Sequence, residues 1–486
     1  CWGHNDYGQL GLGDTNRRGD APGEMGGDLP FVNLGTGRTA KSIAVGGHHS
    51  CAILDDESLK CWGWGQSGRL GIGDSSNRGD APGEMGDNSP AVNLGTNRKP
   101  LAIAAGWEHT CALLDNGDVK CWGGNQAGQL GRGATGSVGY QASQMGDNLQ
   151  PVSLGTNLTV KAIASGPTAY HMCAVFEGGS MKCWGSGDNG ELGYEEAANT
   201  RGDGPNEMGD DLPFVDVGTG EKVEAVAVAY KYTCALLQSG AVKCWGLNSN
   251  GQLGYGDAVQ RGDNANEMGD HLPAVDLGTN QTATAIACGQ YHACAVLEGG
   301  ALKCWGSSSS GQLGYGDTTQ RGDHPAEMGD YLPFVNVGTG RTVTVVTGGN
   351  AHTCALLDNG DVKCWGQGTY GQLGYGSTQH VGTQAGQMGD NLPAVQLEAD
   401  PTVAPTIAPT AEPTMAPTAE PTMAPTAGPT MAPTAAPTMA PTAAPVSRQT
   451  IAAGYWHSCA ILAGGGVKCW GHNDYGQLGL GDTNRR

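Results

Sequence analysis

Phenylalanine is almost missing from this chain, at 4 residues in 486. A sequence so poor in it cannot fill one thick aromatic core. With 83 glycines it can build many thin layers joined by frequent turns. Positive charge is also short. Lys and Arg total 26 against 47 Asp and Glu, a formal net charge of −21. That balance opposes binding to nucleic acid or to acidic membrane surfaces. No apolar run approaches ~18 residues, so no membrane-spanning helix is expected. The chain opens at Cys1 in mid-strand, with no Met and no signal peptide, so a fragment or a processed form is expected.

Cysteine, by contrast, is plentiful and regular. Two cysteines ten residues apart occur seven times: Cys51/Cys61, Cys111/Cys121, Cys173/Cys183, Cys234/Cys244, Cys294/Cys304, Cys354/Cys364 and Cys459/Cys469. Residues 111–123, CALLDNGDVKCWG, read as a tight hairpin with Asp115, Asn116 and Gly117 at its turn. That turn sets the register. Leu114 closes on Asp118, Leu113 faces Val119, and Cys111 faces Cys121 at a non-hydrogen-bonded site. There α-carbons approach to roughly 4.5 Å, within disulfide range. Gly117, Gly179, Gly240, Gly300, Gly360 and Gly465 hold the turn position; Glu57 replaces glycine in the first hairpin, so its turn must differ or carry strain. Seven cross-strand disulfides imply an oxidising compartment. Ten residues across a hairpin is not a zinc knuckle. Cys1 and Cys288 are left over and expected to be unpaired within this chain.

The tripeptide CWG begins at residues 1, 61, 121, 183, 244, 304, 364 and 469. A period near 60 residues marks an array or a propeller. The unit from residue 244 reads as four short strands: VKCW, LPAVDL with Pro273 at its start, ATAIA and HACAVL. No helix is convincing. Sheets this thin must pack face to face, and seven of them suit a closed ring. The fold class is therefore all-β, a seven-bladed β-propeller with four-stranded antiparallel blades.

The pattern CWGxNxxGQLGxGD, then PxxV, then IAxGxxHxCAL and a hairpin, resembles the repeat of the regulator of chromosome condensation family. The resemblance covers nearly the whole chain and implies the same seven-bladed propeller. Paired cysteines, acidic charge and a long RGD/EMGD insertion set the chain apart from the nuclear founder and closer to a secreted, disulfide-bearing branch.

Four segments are expected. Residues 1–400 hold units one to six and the start of unit seven. Residues 401–445 are a Pro/Thr/Ala-rich insert, read as a disordered loop. Residues 446–468 supply the closing strands of unit seven. Residues 469–486 repeat residues 1–18 without change, as an overhang or the start of a further array.

Candidate chemistry recurs from unit to unit, and recurrence marks scaffold. His49, His109, His171, His292, His352 and His457 stand two residues before a hairpin cysteine, with Tyr232 in the remaining unit. Hydrogen bonds to a neighbouring blade suit them better than a metal, since bonds of ~2 Å cannot span a ring. RGD occurs at Arg18, Arg78, Arg201, Arg261 and Arg321, always at one place in the unit, which favours a structural turn over adhesion. Asp257, Asp263, Glu267 and Asp270 gather oxygens without a calcium-loop spacing. Trp62, Trp122, Trp184, Trp245, Trp305, Trp365 and Trp470 read as packing between blades. Asn157 and Asn280 head glycosylation sequons. No catalytic residue, metal site or cofactor is assigned, and the binding residues stay unknown.

The function expected is a non-catalytic extracellular or cell-surface scaffold, monomeric, binding a protein or glycan through inter-blade loops. Two alternatives stand beside it: a guanine nucleotide exchange factor for a Ran-like GTPase, as the family founder implies, and a polysaccharide-active enzyme.

Overall fold

The computed structural model describes residues 2–196, 200–398, 450–462 and 464–471. Cys1, the 401–445 insert and residues 472–486 of the duplicate lie outside the described residues.

Among the described residues, seven sheets follow one another along the chain, antiparallel throughout except where Trp2–Gly3 runs parallel to Val467–Gly471. In the second, the inner strand Pro100–Ala105 pairs with the middle strand His109–Leu114, which pairs with the outer strand Val119–Gly123. The hairpin register follows from its turn. Leu113 faces Val119 and Cys111 faces Cys121. The Leu114 N–H donates to the Asp118 carbonyl at 2.8 Å, and Gly117 sits at φ 86°. Glu57 takes the same left-handed place at φ 67°. The first turn therefore keeps its shape and carries the strain of a side chain there.

Six hairpins hold a disulfide: Cys51–Cys61, Cys111–Cys121, Cys173–Cys183, Cys234–Cys244, Cys294–Cys304 and Cys354–Cys364. Their Cα–Cα distances are 4.0–4.1 Å, shorter than the ~4.5 Å expected of a non-hydrogen-bonded pair. Cys459 and Cys469 stand opposite each other in the same register, and both are disulfide-bonded. The outer-strand cysteines are also held through their backbone. Tyr194, Tyr255, Tyr315 and Tyr375 each place a hydroxyl between the N–H and the carbonyl of Cys183, Cys244, Cys304 and Cys364, at 2.8–3.0 Å. Cys61 and Cys121 have Ile72 and Arg132 at the matching place in the repeat and go without that clamp. Cys288 is free and buried, and burial pushes its thiol up to about 12.

The sheets close into a ring. Each inner strand packs beside the next, and Thr450–Ala453 packs beside Ala40–Val45. Trp2–Gly3 joins the last sheet, in register with Trp470–Gly471 and with Ser458, which itself pairs with Trp470. The two copies of the CWG strand thus meet at one place.

The blades differ from expectation in strand count. The sheets carry three regular strands, apart from the last, which Trp2–Gly3 extends to four. The LPAV segment is not a strand. It makes one backbone bond per unit to the outer strand of a blade, as Val152 N–H does to the Val119 carbonyl at 2.7 Å. At the other end of that outer strand a single bridge forms, as between Gly123 and Val138. The inserted RGD/EMGD loop separates these two contacts, and a proline at the head of each of the seven segments offers no N–H to extend either.

That loop is a clasp. Arg78 pairs with Asp74 at 2.8 Å, and Arg18, Arg261 and Arg321 repeat the pairing with Asp14, Asp257 and Asp317 at 2.7 Å. Arg201 pairs with Glu196 instead. Glu84 accepts the N–H groups of Gly79 and Ala81, and the Gly79 carbonyl takes the Gly13 N–H of the preceding unit. Asp257, Glu267 and Asp270 are likewise spent on Arg261, on backbone N–H groups and on Thr219. Among the described residues, no three acidic, His or Cys side chains stand together as a metal site.

Histidine and tryptophan tie sheet to sheet through one carbonyl. His171 Nε2 meets Thr233 Oγ1 at 2.8 Å. Thr233 donates to the Glu191 carbonyl at 2.8 Å, and Trp245 Nε1 donates to the same oxygen at 3.1 Å. The relay recurs with His49, Thr110 and Trp122, and with His292, Thr353 and Trp365. A Cβ on Gly106 would stand 2.0 Å from the His109 ring, so glycine is required beside the imidazole. Where the neighbour offers Ala293 in place of a hydroxyl, Tyr232 replaces His, and its single O–H is shared between the Gly289 and His292 carbonyls, at 2.8 and 2.5 Å.

Candidate functional site: an aromatic mouth on the channel

The loops from inner to middle strands all emerge at one end of the ring, opposite the hairpin turns. Their backbones link around the axis. Gly47 N–H donates to Gly106, Trp107 to Ala169, Gln290 to Gly349, and Asn350 to Tyr455, at 2.9–3.2 Å. The one or two residues just before each repeated His or Tyr therefore face the mouth of the channel. These positions differ from unit to unit: His48, Trp107–Glu108, Tyr170, Tyr230–Lys231, Gln290–Tyr291, Asn350–Ala351 and Tyr455–Trp456.

On one arc the rings are packed. His48 is 7% exposed and lies 5.0 Å from Trp107, 5.5 Å from Trp64 and 5.7 Å from Trp456, centroid to centroid. Tyr7 stacks on Trp64 at 4.6 Å. Trp107 meets Tyr455 edge-on at 4.6 Å. Burial, with His4 and Arg69 nearby, holds the His48 ring well below its ordinary pKa.

Arg69 anchors this arc. It stands where five other units have Gln in GQLG and one has Glu191, and its side chain is fully buried. Its guanidinium lies 4.1 Å from the Trp64 ring centroid, a cation–π contact. Nε donates to the Gln66 carbonyl at 2.9 Å and Nη1 to the Trp107 carbonyl at 3.3 Å. Nη2 lies 3.7 Å from Glu108 Oε1. Burial lowers the guanidinium to about 10, against the pull of Glu108.

The other arc is more open. Tyr230 and Tyr291 stand 5.6 Å apart, with the Lys231 ammonium 5.7 Å from the Tyr230 ring. Below the mouth, the inner strands enclose a cavity of about 340 Å³ lined by Ile103, Ile163, Val226, Ile286, Val346 and Ile451.

The residues singled out by recurrence lie elsewhere. The histidines and the described tryptophans of the CWG motif are buried between sheets. The paired cysteines belong to the scaffold and not to the site. Cys51 with Cys61, Cys111 with Cys121, Cys173 with Cys183, Cys234 with Cys244, Cys294 with Cys304, Cys354 with Cys364, and both Cys459 and Cys469 are buried in the middle and outer strands. None of them lines the cavity, where the inner strand contributes Cys288 alone among cysteines. Asn157 and Asn280 are exposed, each at φ 58° in a tight turn away from the mouth. The mouth itself escapes a reading based on recurrence. Its signal is departure from the repeat, as in Arg69 for Gln.

A model of the RCC1-like domain matches residues 83–485, and models of the regulator of chromosome condensation (RCC1) repeat match residues 1–53 and 40–69. The chain belongs to the RCC1 repeat family. Among RCC1 relatives, it is 31% identical to the ultraviolet-B receptor UVR8 of Arabidopsis thaliana, across 78% of this chain and 74% of that one. It is 28% identical to the mitochondrial RCC1 domain-containing protein RUG3 of the same plant, across 77% and 78%. Human WBSCR16 shares the fold at a TM-score of 0.63 and 18% identity, covering 95% of this chain and 98% of that one. Yeast RCC1 (Prp20), solved bound to Kap60, does so at 0.55 and 21%, covering 82% of each.

Proposed function

We propose that this RCC1-family propeller is a non-catalytic extracellular or cell-surface scaffold that binds a protein or glycan partner at the aromatic mouth. One observation carries the reading: Trp, Tyr and Arg gather on a single face, at the positions where the units differ. Such side chains dominate binding energy at recognition surfaces. The disulfide-bonded hairpins favour an oxidising compartment, and a charge of −21 disfavours nucleic acid. On this reading Asn157 and Asn280 accept glycans, residues 401–445 form a Pro/Thr-rich loop within the seventh unit, and the propeller acts as a monomer.

The nucleotide-exchange alternative draws on a yeast relative, Prp20p, whose structure is described together with its binding to Gsp1p and histones. Site-specific photo-cross-linking separates the readings. A cross-linker at Tyr291 should capture the partner, and one at Asn116 in a hairpin turn should not. Capture from Asn116 alone, or accelerated guanine nucleotide release from Ran, would contradict the proposal.

A further inference from the structure

We propose that the channel mouth is a sugar-binding site that takes a neutral pyranose unit of a glycan. This inference rests on the scaffold reading and names the ligand class of the same face.

Five rings from five different sheets surround the axis: Trp107, Tyr170, Tyr230, Tyr291 and Tyr455. Ring centroids are 6.4 Å apart for Trp107 and Tyr170, 5.6 Å for Tyr230 and Tyr291, and 4.6 Å for Trp107 and Tyr455. All five are partly exposed, unlike the fully buried tryptophans of the repeat. In the sixth sheet the same loop carries Asn350 and Ala351, which leaves a gap in the collar.

The chemistry of the collar is two-sided. Each tyrosine presents an apolar ring and a hydroxyl. A pyranose matches this pattern with an apolar C–H face and a girdle of hydroxyls. Gln290 beside Tyr455 adds an amide that can both donate and accept. Burial and the neighbouring Glu108 push the Tyr170 phenol up to about 12, so it remains a neutral donor.

Charge selects among sugars. The overall −21 repels uronates and sulfates. A cationic guest is disfavoured as well, because Lys231 already lies over Tyr230 and Arg69 over Trp64. Glu108 and Lys231 on the same rim leave it without a dominant sign. A neutral ring remains. The 340 Å³ cavity beneath sits at the small end of the ~300–1,000 Å³ typical of ligand pockets.

The test is calorimetric titration of the full chain with mannohexaose, cellohexaose, xylohexaose and chitohexaose. At least one should bind saturably. Tyr230→Ala or Tyr291→Ala should weaken it roughly tenfold or more. Tyr291→Phe, which keeps the ring and drops the hydroxyl, should weaken it by a smaller factor and guards against a variant that fails to fold. Silence from all four sugars, or binding unchanged in these variants, overturns the inference. Partner capture at Tyr291 without sugar binding would leave the scaffold reading standing and remove this one alone.

Discussion

Six imidazoles sit between sheets, and burial keeps each of them neutral. His109, His171 and His352 are held down to about 3 and His292 to about 4, while His49 and His457 lie well below their ordinary value. In the unfolded chain the same groups take up protons below about 6.5. Below that pH the unfolded state binds more protons than the folded one. Stability should therefore fall as pH drops from about 6.5 toward 3, by up to ~1.4 kcal/mol per pH unit for each histidine. Above 6.5 these groups contribute no pH dependence. Thermal unfolding at pH 7.5 and pH 5 checks this: a much lower midpoint is expected at pH 5, and His171→Gln should flatten part of the slope. A pH-independent midpoint would count against buried, neutral imidazoles. That these residues bond across sheets was legible, since a ring of them is too wide for ~2 Å metal bonds to span. The acceptor was not, because Thr233 lies 62 residues beyond His171. Nor was the pairing of Tyr232 with a hydroxyl-free neighbour, Ala293.

At the scale of elements, the hairpins were legible because turn chemistry is local. Asp115, Asn116 and Gly117 dictate the register, and the register places Cys111 on Cys121. Each such bridge closes a short loop and contributes about 2–3 kcal/mol in the chain-entropy model. Alkylation in denaturant without reductant, followed by peptide mass spectrometry, should label Cys288 and recover Cys111 linked to Cys121. A labelled Cys111 would contradict the paired ribbon. The tyrosine clamp on Cys183, Cys244, Cys304 and Cys364 was less legible, since it joins residues 11 apart across a glycine-rich turn. The LPAV segment was misread for a different reason. Its alternation suits a strand, yet a strand needs a partner along its length. The RGD/EMGD clasp occupies that length, held by Arg–Asp pairs and by Glu84 on backbone N–H groups.

Across the whole molecule, repetition builds the ring and departures from repetition build the mouth. The first half of that division was open to a single sequence, since a 60-residue period and seven hairpins point to seven sheets. The second was not. Trp107, Tyr170, Tyr230, Tyr291 and Tyr455 are roughly 60 residues or more apart, and only ring closure brings them together. Arg69 gave a visible sign, a cation in place of the usual Gln of GQLG, but its meaning depends on Trp64 and Glu108 around it. The division is tested most directly by calorimetric unfolding of two variants side by side. Trp305→Ala removes a fully buried inter-sheet side chain and its bond to the Gln252 carbonyl, at a cost of ~3–5 kcal/mol, so its midpoint should fall by several degrees. Tyr291→Ala removes a partly exposed ring at the mouth and should melt close to the parent. Equal losses of stability in the two would contradict the separation of scaffold from site.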